Sequence, residues 1–266
     1  MWYPVSMLIG AMNHPNVDVV TEIEWMAAMR LDFIDLTMEP PRAASWQLDP
    51  QQVRAALEKH HLPVIGHTAY YLPIASPFEE LRKAAVEECR RCLDLFAALG
   101  ASWMNVHADS HSPFQTKQFF IDRNLRSLRQ LLTYGQRVGV GIMVENIPGN
   151  DFNSAEDLGA LLNGLPELGL HLDLGHCNLS PIRRNAEKIL EAHANRLRHV
   201  HLHDNRGGED DLHLPLGAGR IDMPRTVRAL KSCGYDGTIT LEVFSSEKRY
   251  LEHSRDLLRS LWDAVD

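Results

Sequence analysis

Eight strand-like runs alternate with eight helical patterns along this chain, and six of the runs end on a side chain that binds metals well. The runs lie near 5–10, 32–37, 62–67, 102–107, 140–145, 168–173, 197–203 and 238–243. Helical patterns lie near 18–30, 50–60, 77–99, 115–138, 154–163, 182–194, 223–233 and 247–263. Neighbouring parallel strands need a helical crossover, so strand–helix units in series predict a parallel sheet, and eight such strands close into a barrel. The expected architecture is α/β, a single (β/α)8 TIM barrel with residues 1–266 as one domain. Such barrels use about 250 residues, and the chain has 266, with no proline- or serine-rich linker to divide it.

Helix-start and helix-stop signals agree with this parse. Asp49-Pro50 and Ser76-Pro77 place a capping residue before a proline suited to the first helical position, and Ser154 with Asp157 resembles a capping box. Gly100, Gly139 and Gly234 fall where helices end in a left-handed residue. Alternation within the strands shows which face is inside. His199, His201 and His203 oppose Val200 and Leu202; His171 and Asp173 oppose Leu170, Leu172 and Leu174; Thr238, Thr240 and Glu242 oppose Ile239, Leu241 and Val243. The apolar faces must meet the helices, so the polar ones point into the barrel, where they are costly unless paired or bound to something. Trp103 is expected to pack or to face the barrel interior.

The six strand-end residues are His67, His107, Glu145, Asp173, His201 and Glu242, spaced 40, 38, 28, 28 and 41 residues apart. Strand ends of one polarity converge on the face where such barrels do their chemistry. His176 follows in D-L-G-H, and Asp211 and His213 lie in the long loop after the seventh strand, which makes nine candidate ligands. Any one of these taken singly is an ordinary core histidine or a solvated acid. Together, Glu145, Asp173 and Glu242 would crowd three carboxylates into one mouth, and cations relieve that repulsion. Imidazole and carboxylate without thiolate suit Zn²⁺, Mn²⁺, Fe²⁺ or Co²⁺ better than Mg²⁺ or Ca²⁺. Tyr70, Asn146, His203 and Arg206 are the candidate substrate contacts, with Asn146 placed to orient Glu145. Gly217-Ala218-Gly219 follows no strand and reads as a turn that folds the loop back over the site. His14, His60, His61, His111, His193 and His253 read as structural or solvated, and Trp2, Trp25, Trp46 and Trp262 as packing.

Composition excludes several classes. A formal charge of −8 lacks the basic footprint of an electrostatic nucleic-acid binder, and no run reaches the roughly 18–20 apolar residues of a membrane helix. MWYPVSMLIG shows no secretory signal, so a cytoplasmic location is the default expectation. Cys89 and Cys92 form a C-x-x-C inside a helical pattern, which reads as structural; Cys177 sits beside a proposed ligand.

The motifs His67 with Tyr70, Glu145-Asn146, Asp173-x-x-His176, His201-Leu-His-Asp204, Asp211-x-His213 and Gly217-x-Gly219 resemble the xylose-isomerase-like barrel superfamily, from about residue 5 to 245. That group holds sugar-phosphate isomerases and epimerases and also apurinic endonucleases of the endonuclease IV type. For the endonuclease type the resemblance implies three zinc ions: one on His67, His107 and Glu145, a second on Glu145, Asp173, His201 and Glu242, a third on His176, Asp211 and His213. For the isomerases it implies one metal, often Mn²⁺, on Glu145, Asp173, His201 and Glu242, with His176 touching substrate. In the isomerase case Glu145 and Glu242 remove and return a proton beside a metal-polarised carbonyl, through an enediolate. In the endonuclease case clustered zincs hydrolyse a phosphodiester. The short TMEPPRAASW loop and the acidic Glu209-Asp210-Asp211 segment disfavour duplex DNA. The expectation is therefore an isomerase or epimerase of a small sugar, sugar phosphate or polyol derivative with one to three Mn²⁺ or Zn²⁺ ions, compatible with a homo-oligomer. A dehydration from the same enediolate, a phosphodiesterase and a silent binding barrel are the alternatives.

Overall fold

The strands form where the alternation predicts them: β1 (Leu8–Met12), β2 (Phe33–Met38), β3 (Val64–Thr68), β4 (Trp103–His107), β5 (Gly141–Glu145), β6 (Gly169–Asp173), β7 (Leu197–Leu202) and β8 (Thr238–Leu241). Between and after them run α1 (Val19–Ala28), α2 (Pro50–His60), α3 (Glu79–Leu99), α4 (Lys117–Val138), α5 (Ala155–Gly164), α6 (Ala186–His193), α7 (Met223–Ser232) and α8 (Arg249–Ala264). This computed structural model describes residues 7–110, 112–148, 152–181 and 185–265. Trp2, His111, residues 5–6 of the first predicted strand and 182–184 of the sixth predicted helix lie outside them. Every strand pairs in parallel with the next, and β8 pairs with β1, so the sheet closes into a (β/α)8 barrel.

Most boundaries fall within about two residues of expectation, and two of the differences have a local cause. Met7 lies outside β1, and the strand runs on to Met12, past the expected end at 10, with Leu8 to Ala11 in register with Thr238 to Leu241 of β8. Ser76 does not cap α3: its hydroxyl accepts from Phe78 N, while Arg123 draws the carbonyls of Ser76 and Pro77 into the loop, so the helix starts at Glu79. Asp49 and Ser154 do cap α2 and α5, accepting from Gln51 and Gln52 and from Asp157. Gly100 and Gly139 end α3 and α4 in the left-handed region, as a residue without a Cβ does at least cost.

Outward strand residues such as Ile34, Leu36, Val144 and Val200 pack with helix residues such as Leu93, Phe96 and Leu128 in one apolar layer. Inside the barrel the filling changes along its axis. The amino-terminal end is plugged by Phe33, Ile65 and Met143 with Leu8 and Trp103 against them, so Trp103 does face the interior. A Cβ on Gly10 or Gly141 would stand 2.5 Å from the Phe33 or Trp103 ring; only glycine leaves the rings that space. The next level up is polar: Asp35, Asn105, His171, His199 and Thr240 are all completely buried. Among the described residues no helix is long and apolar enough to cross a membrane.

Candidate metal centre and cleft

Strand register brings the predicted ligands together at the carboxyl end. His107 pairs directly with Glu145, Asp173 with His201, and Glu145 with His171. β5, β6 and β7 therefore deliver Glu145, Asp173 and His201 side by side, and Glu242 follows β8, its N–H donating to Leu202 O at 3.1 Å. Glu145 and Glu242 line a cleft of about 940 Å³ together with His67, His107, His176, Asp211 and His213, and Asp173 and His201 are buried outside its lining.

Within the floor, Glu145 Oε2 lies 3.0 Å from His107 Nε2, 3.2 Å from His171 Nδ1 and 3.8 Å from His67 Nε2. Asn105 Nδ2 donates to the same oxygen at 2.7 Å. His67, His107 and Glu145 each place a ligand atom within 4.8 Å of the others. His201 Nδ1 is 3.2 Å from Glu242 Oε2. At the rim, Asp211 Oδ2 is 3.0 Å from both His176 Nε2 and His213 Nε2. Those two rings present Nε2 because their Nδ1 atoms are held by main-chain carbonyls, His176 by Asn146 O at 2.8 Å and His213 by Glu242 O at 3.2 Å. A backbone bond on one ring nitrogen leaves the other free to bind.

The loop carrying Asp211 and His213 is folded back by Asp204, whose carboxylate accepts from the backbone N–H of Gly217, Gly219, Ile221 and Asn205. Gly217 has a φ of +86°, and a Cβ at Gly219 would meet Asp204 Oδ1 at 2.3 Å, so the Gly-Ala-Gly turn is needed for this return.

Burial should drive these acids toward neutrality, yet the histidines outweigh it. Glu145 is held well below the usual carboxylate range by His171, His107 and His201, Asp173 by His176 and His203, and Asp35 by bonds from His199 and His201 with His67 nearby. Conversely, burial would lower His176 and His203, but Asp173 and its neighbours lift His176 to about 10 and His203 to about 9. Glu242 and Asp35, on opposite sides of its ring, raise His201. Burial dominates at His107, His171 and His199, which are held low. Without a cation, the raised His176, His201 and His203 favour protonation beside these acids. Several buried atoms still have no hydrogen-bond partner among the described residues: Asp173 Oδ2, Asp211 Oδ1, His107 Nδ1, His203 Nε2 and both ring nitrogens of His171. Orphaned donors and acceptors of these types, gathered at and beneath the carboxyl ends of the strands, suit a divalent cation.

The remaining candidates separate. Tyr70 lines the cleft, 63% exposed, with its ring edge toward His107. Asn146 is fully buried and does not line the cleft. It bonds Asp173 through both main-chain groups, donating to the carbonyl at 3.0 Å and accepting from the N–H at 2.7 Å, so it orients Asp173 rather than Glu145 or a substrate. Its Nδ2 also lies 3.5 Å from Cys177 Sγ. His203 is fully buried between Asp173 (3.5 Å) and Asp211 (3.3 Å) and stacks on His213, grouped with the ligand set rather than the cleft wall. Arg206 is solvent-exposed and outside the cleft lining. Cys89 and Cys92 are buried in the inner face of α3, and burial pushes Cys89 up to about 12, as inert structural thiols require.

Sequence reasoning missed Asp35. It sits inside the barrel beneath the ligands, and its signal was the alternation Phe33, Asp35, Thr37 in FIDLTM, hidden because β2 ends on Met38. The rim contributed by His14, Glu22, Phe244 and Lys248 was missed too, since nothing in their spacing marks them.

Known proteins share this architecture. The chain is 22% identical over 227 residues to the fructoselysine 3-epimerase of Escherichia coli O157:H7, covering 79% of this chain and 80% of the relative. It is 26% identical over 249 residues to the L-ribulose 3-epimerase of Methylomonas sp. (strain DH-1), covering 88% and 82%. A solved D-tagatose 3-epimerase-like protein superposes with a TM-score of 0.83 at 23% identity, over 97% of this chain and 98% of that one. A family model described as xylose isomerase-like TIM barrel matches residues 23–261, and with that match over most of its length the chain belongs to this family.

Proposed function

We propose that this protein is a divalent-metal-dependent epimerase or isomerase of a small sugar, sugar phosphate or polyol derivative. The observation that carries the reading is the run of four consecutive strand ends bearing Glu145, Asp173, His201 and Glu242, with two glutamates facing one cleft. Its likeness to relatives named as sugar 3-epimerases supports it. Glu145, Asp173, His201 and Glu242 would hold the cation. When bound, such a cation supplies Lewis-acid polarisation of a carbonyl and its neighbouring hydroxyl. Glu145 removes the proton from the carbon beside the carbonyl, and Glu242 returns a proton from its own side of the cleft. Delivery to the opposite face inverts the centre; delivery to the adjacent carbon isomerises. His176, with Nδ1 anchored on Asn146 O, presents Nε2 for a substrate hydroxyl, and Tyr70 offers an aromatic wall.

A second reading has its own observation: Asp211 Oδ2, equidistant from His176 and His213, makes a third ligand trio that a one-metal epimerase does not require. It favours a multinuclear zinc phosphodiesterase. Against it, Lys248 is the only lysine or arginine among the described residues that line the cleft, and its ammonium lies over the Trp25 ring. Mn²⁺- or Co²⁺-loaded protein incubated with free ketoses in D₂O should incorporate deuterium at the carbon beside the carbonyl, and Glu145→Gln and Glu242→Gln should abolish it. Hydrolysis of bis(p-nitrophenyl) phosphate without any exchange into sugars would instead select the phosphodiesterase.

A further inference from the structure

We infer that Asp35 is a positioning residue shared by two of the proposed ligand histidines, setting which ring nitrogen of His201 and of His67 faces the cation. This rests on the metal-centre reading above. Asp35 comes from β2, which supplies no proposed ligand, and it is completely buried below the ring of strand ends. Its Oδ2 lies 2.7 Å from His201 Nε2, 3.2 Å from His199 Nε2 and 2.9 Å from Thr240 Oγ1. A carboxylate only accepts, so all three neighbours donate to it. His201 is thereby committed at Nε2, and Nδ1 is the nitrogen turned toward Glu242 and the proposed cation.

The second oxygen does the same for another strand. Asp35 Oδ1 has no hydrogen-bond partner, and neither does His67 Nδ1, which lies 3.7 Å from it. The other nitrogen of His67 points the opposite way, 3.1 Å from Asn105 Nδ2 and 3.8 Å from Glu145 Oε2. A shift of roughly 0.8 Å would bring Oδ1 and Nδ1 to ordinary bonding distance and aim Nε2 at the position shared with His107 and Glu145. Metal-bound histidines generally hand their second N–H to a carboxylate or carbonyl. Here one buried carboxylate serves two ligands on strands β3 and β7, so the sites they belong to are tied through it. A competing arrangement is a separate buried metal site on His171, His199 and His201, whose ligand atoms also cluster. It fits less well, because both nitrogens of His199 are already engaged, Nδ1 by Thr238 Oγ1 at 2.7 Å and Nε2 by Asp35 and Thr240.

The test uses the full chain, stripped of metal and titrated with Mn²⁺ against a chromophoric chelator, for wild type, Asp35→Asn and Thr240→Val. Asp35→Asn should bind Mn²⁺ about 10–100-fold more weakly, the range for loss of an outer partner. Thr240→Val also removes a bond to Asp35, but it leaves the carboxylate and both histidines in place and should stay within about threefold. In Zn²⁺-loaded wild type, long-range ¹H–¹⁵N spectra should find His201 bound through Nδ1 with its proton on Nε2, a readout that stands even if Asp35→Asn does not fold. Wild-type affinity in Asp35→Asn, or His201 ligating through Nε2, overturns the inference while leaving the metal centre intact. Loss of one whole metal equivalent in His199→Ala would place a separate site in the barrel core and also overturn it. A wild type that binds neither Mn²⁺ nor Zn²⁺ overturns the metal reading itself, and this inference with it.

Discussion

Replacing Asn146 by alanine separates a substrate contact from a positioning role. Asn146 satisfies both main-chain groups of Asp173, accepting from its N–H at 2.7 Å and donating to its carbonyl at 3.0 Å, and both residues are fully buried. Truncation leaves that N–H and carbonyl without partners in a site closed to bulk water. Each such loss costs about 1–3 kcal/mol, so the pair amounts to roughly 2–4 kcal/mol once partial relaxation is allowed. At about 2.1 cal/mol/K per residue, the unfolding entropy of a chain this long turns that into a fall in Tm of about 4–7 °C. Asp173 is also a proposed ligand, and freeing its backbone should weaken Mn²⁺ binding by about tenfold or more. Calorimetry and metal titration on the same preparation read both effects. An Asn146→Ala protein with unchanged Tm and unchanged metal affinity, but a raised KM for its sugar, would refute the positioning role and restore Asn146 as a substrate contact.

Metal removal should destabilise the chain: saturation at 100 times Kd adds about 2.7 kcal/mol, so chelation should lower Tm by about 5 °C, and an identical melt with and without chelator would argue against a resident cation. In the chelated protein, His176 at about 10 and His203 at about 9 bind protons that the unfolded chain, with histidines near 6.5, gives up. Their stabilisation is complete below about pH 6.5 and is lost as pH rises through 9–10. His107 and His199, held low by burial, act in the opposite sense, since the unfolded chain gains their protons as pH falls below about 6.5. Urea midpoints of chelated protein should peak near neutrality; a midpoint flat from pH 7 to 10 would contradict the charges assigned to His176 and His203. Asp204→Ala strips the acceptor from four backbone N–H groups and should free the loop bearing Asp211 and His213, so that amide exchange rises across 205–221 while the floor site still binds metal. Phe33→Ala empties the plug at the closed end of the barrel and should cost about 3–5 kcal/mol in denaturant unfolding without moving the affinity for Mn²⁺.

What the sequence disclosed, and what it withheld, follows from how far each signal travels along the chain. Strand ends were legible because two periodic features coincide there: apolar alternation of period two, and a ligand every 28–41 residues at the same point of each strand–helix unit. The parallel register of the barrel then converts equal positions in sequence into lateral neighbours, which is why His107 lands beside Glu145 and Asp173 beside His201. Asn146 and Arg206 show the limit of that logic. Each stands next to a ligand or in a ligand-bearing loop, but adjacency in sequence says nothing of direction, and the chain turns Asn146 inward onto Asp173 and Arg206 outward to solvent. Asp35 shows another limit. Its partners His199, His201 and Thr240 lie 164, 166 and 205 residues away, and only closure of the barrel brings β2 within reach of β7 and β8. The alternation in FIDLTM does mark Asp35 as the inward charge of its strand, and a buried charge must be accounted for by what it pairs with. The polar level beneath the strand ends is thus the part of the site that periodicity can flag but not explain. There Asp35, outside the cleft, lies 2.7 Å from Nε2 of His201 and 3.7 Å from Nδ1 of His67, in each ring the nitrogen turned away from the proposed cation.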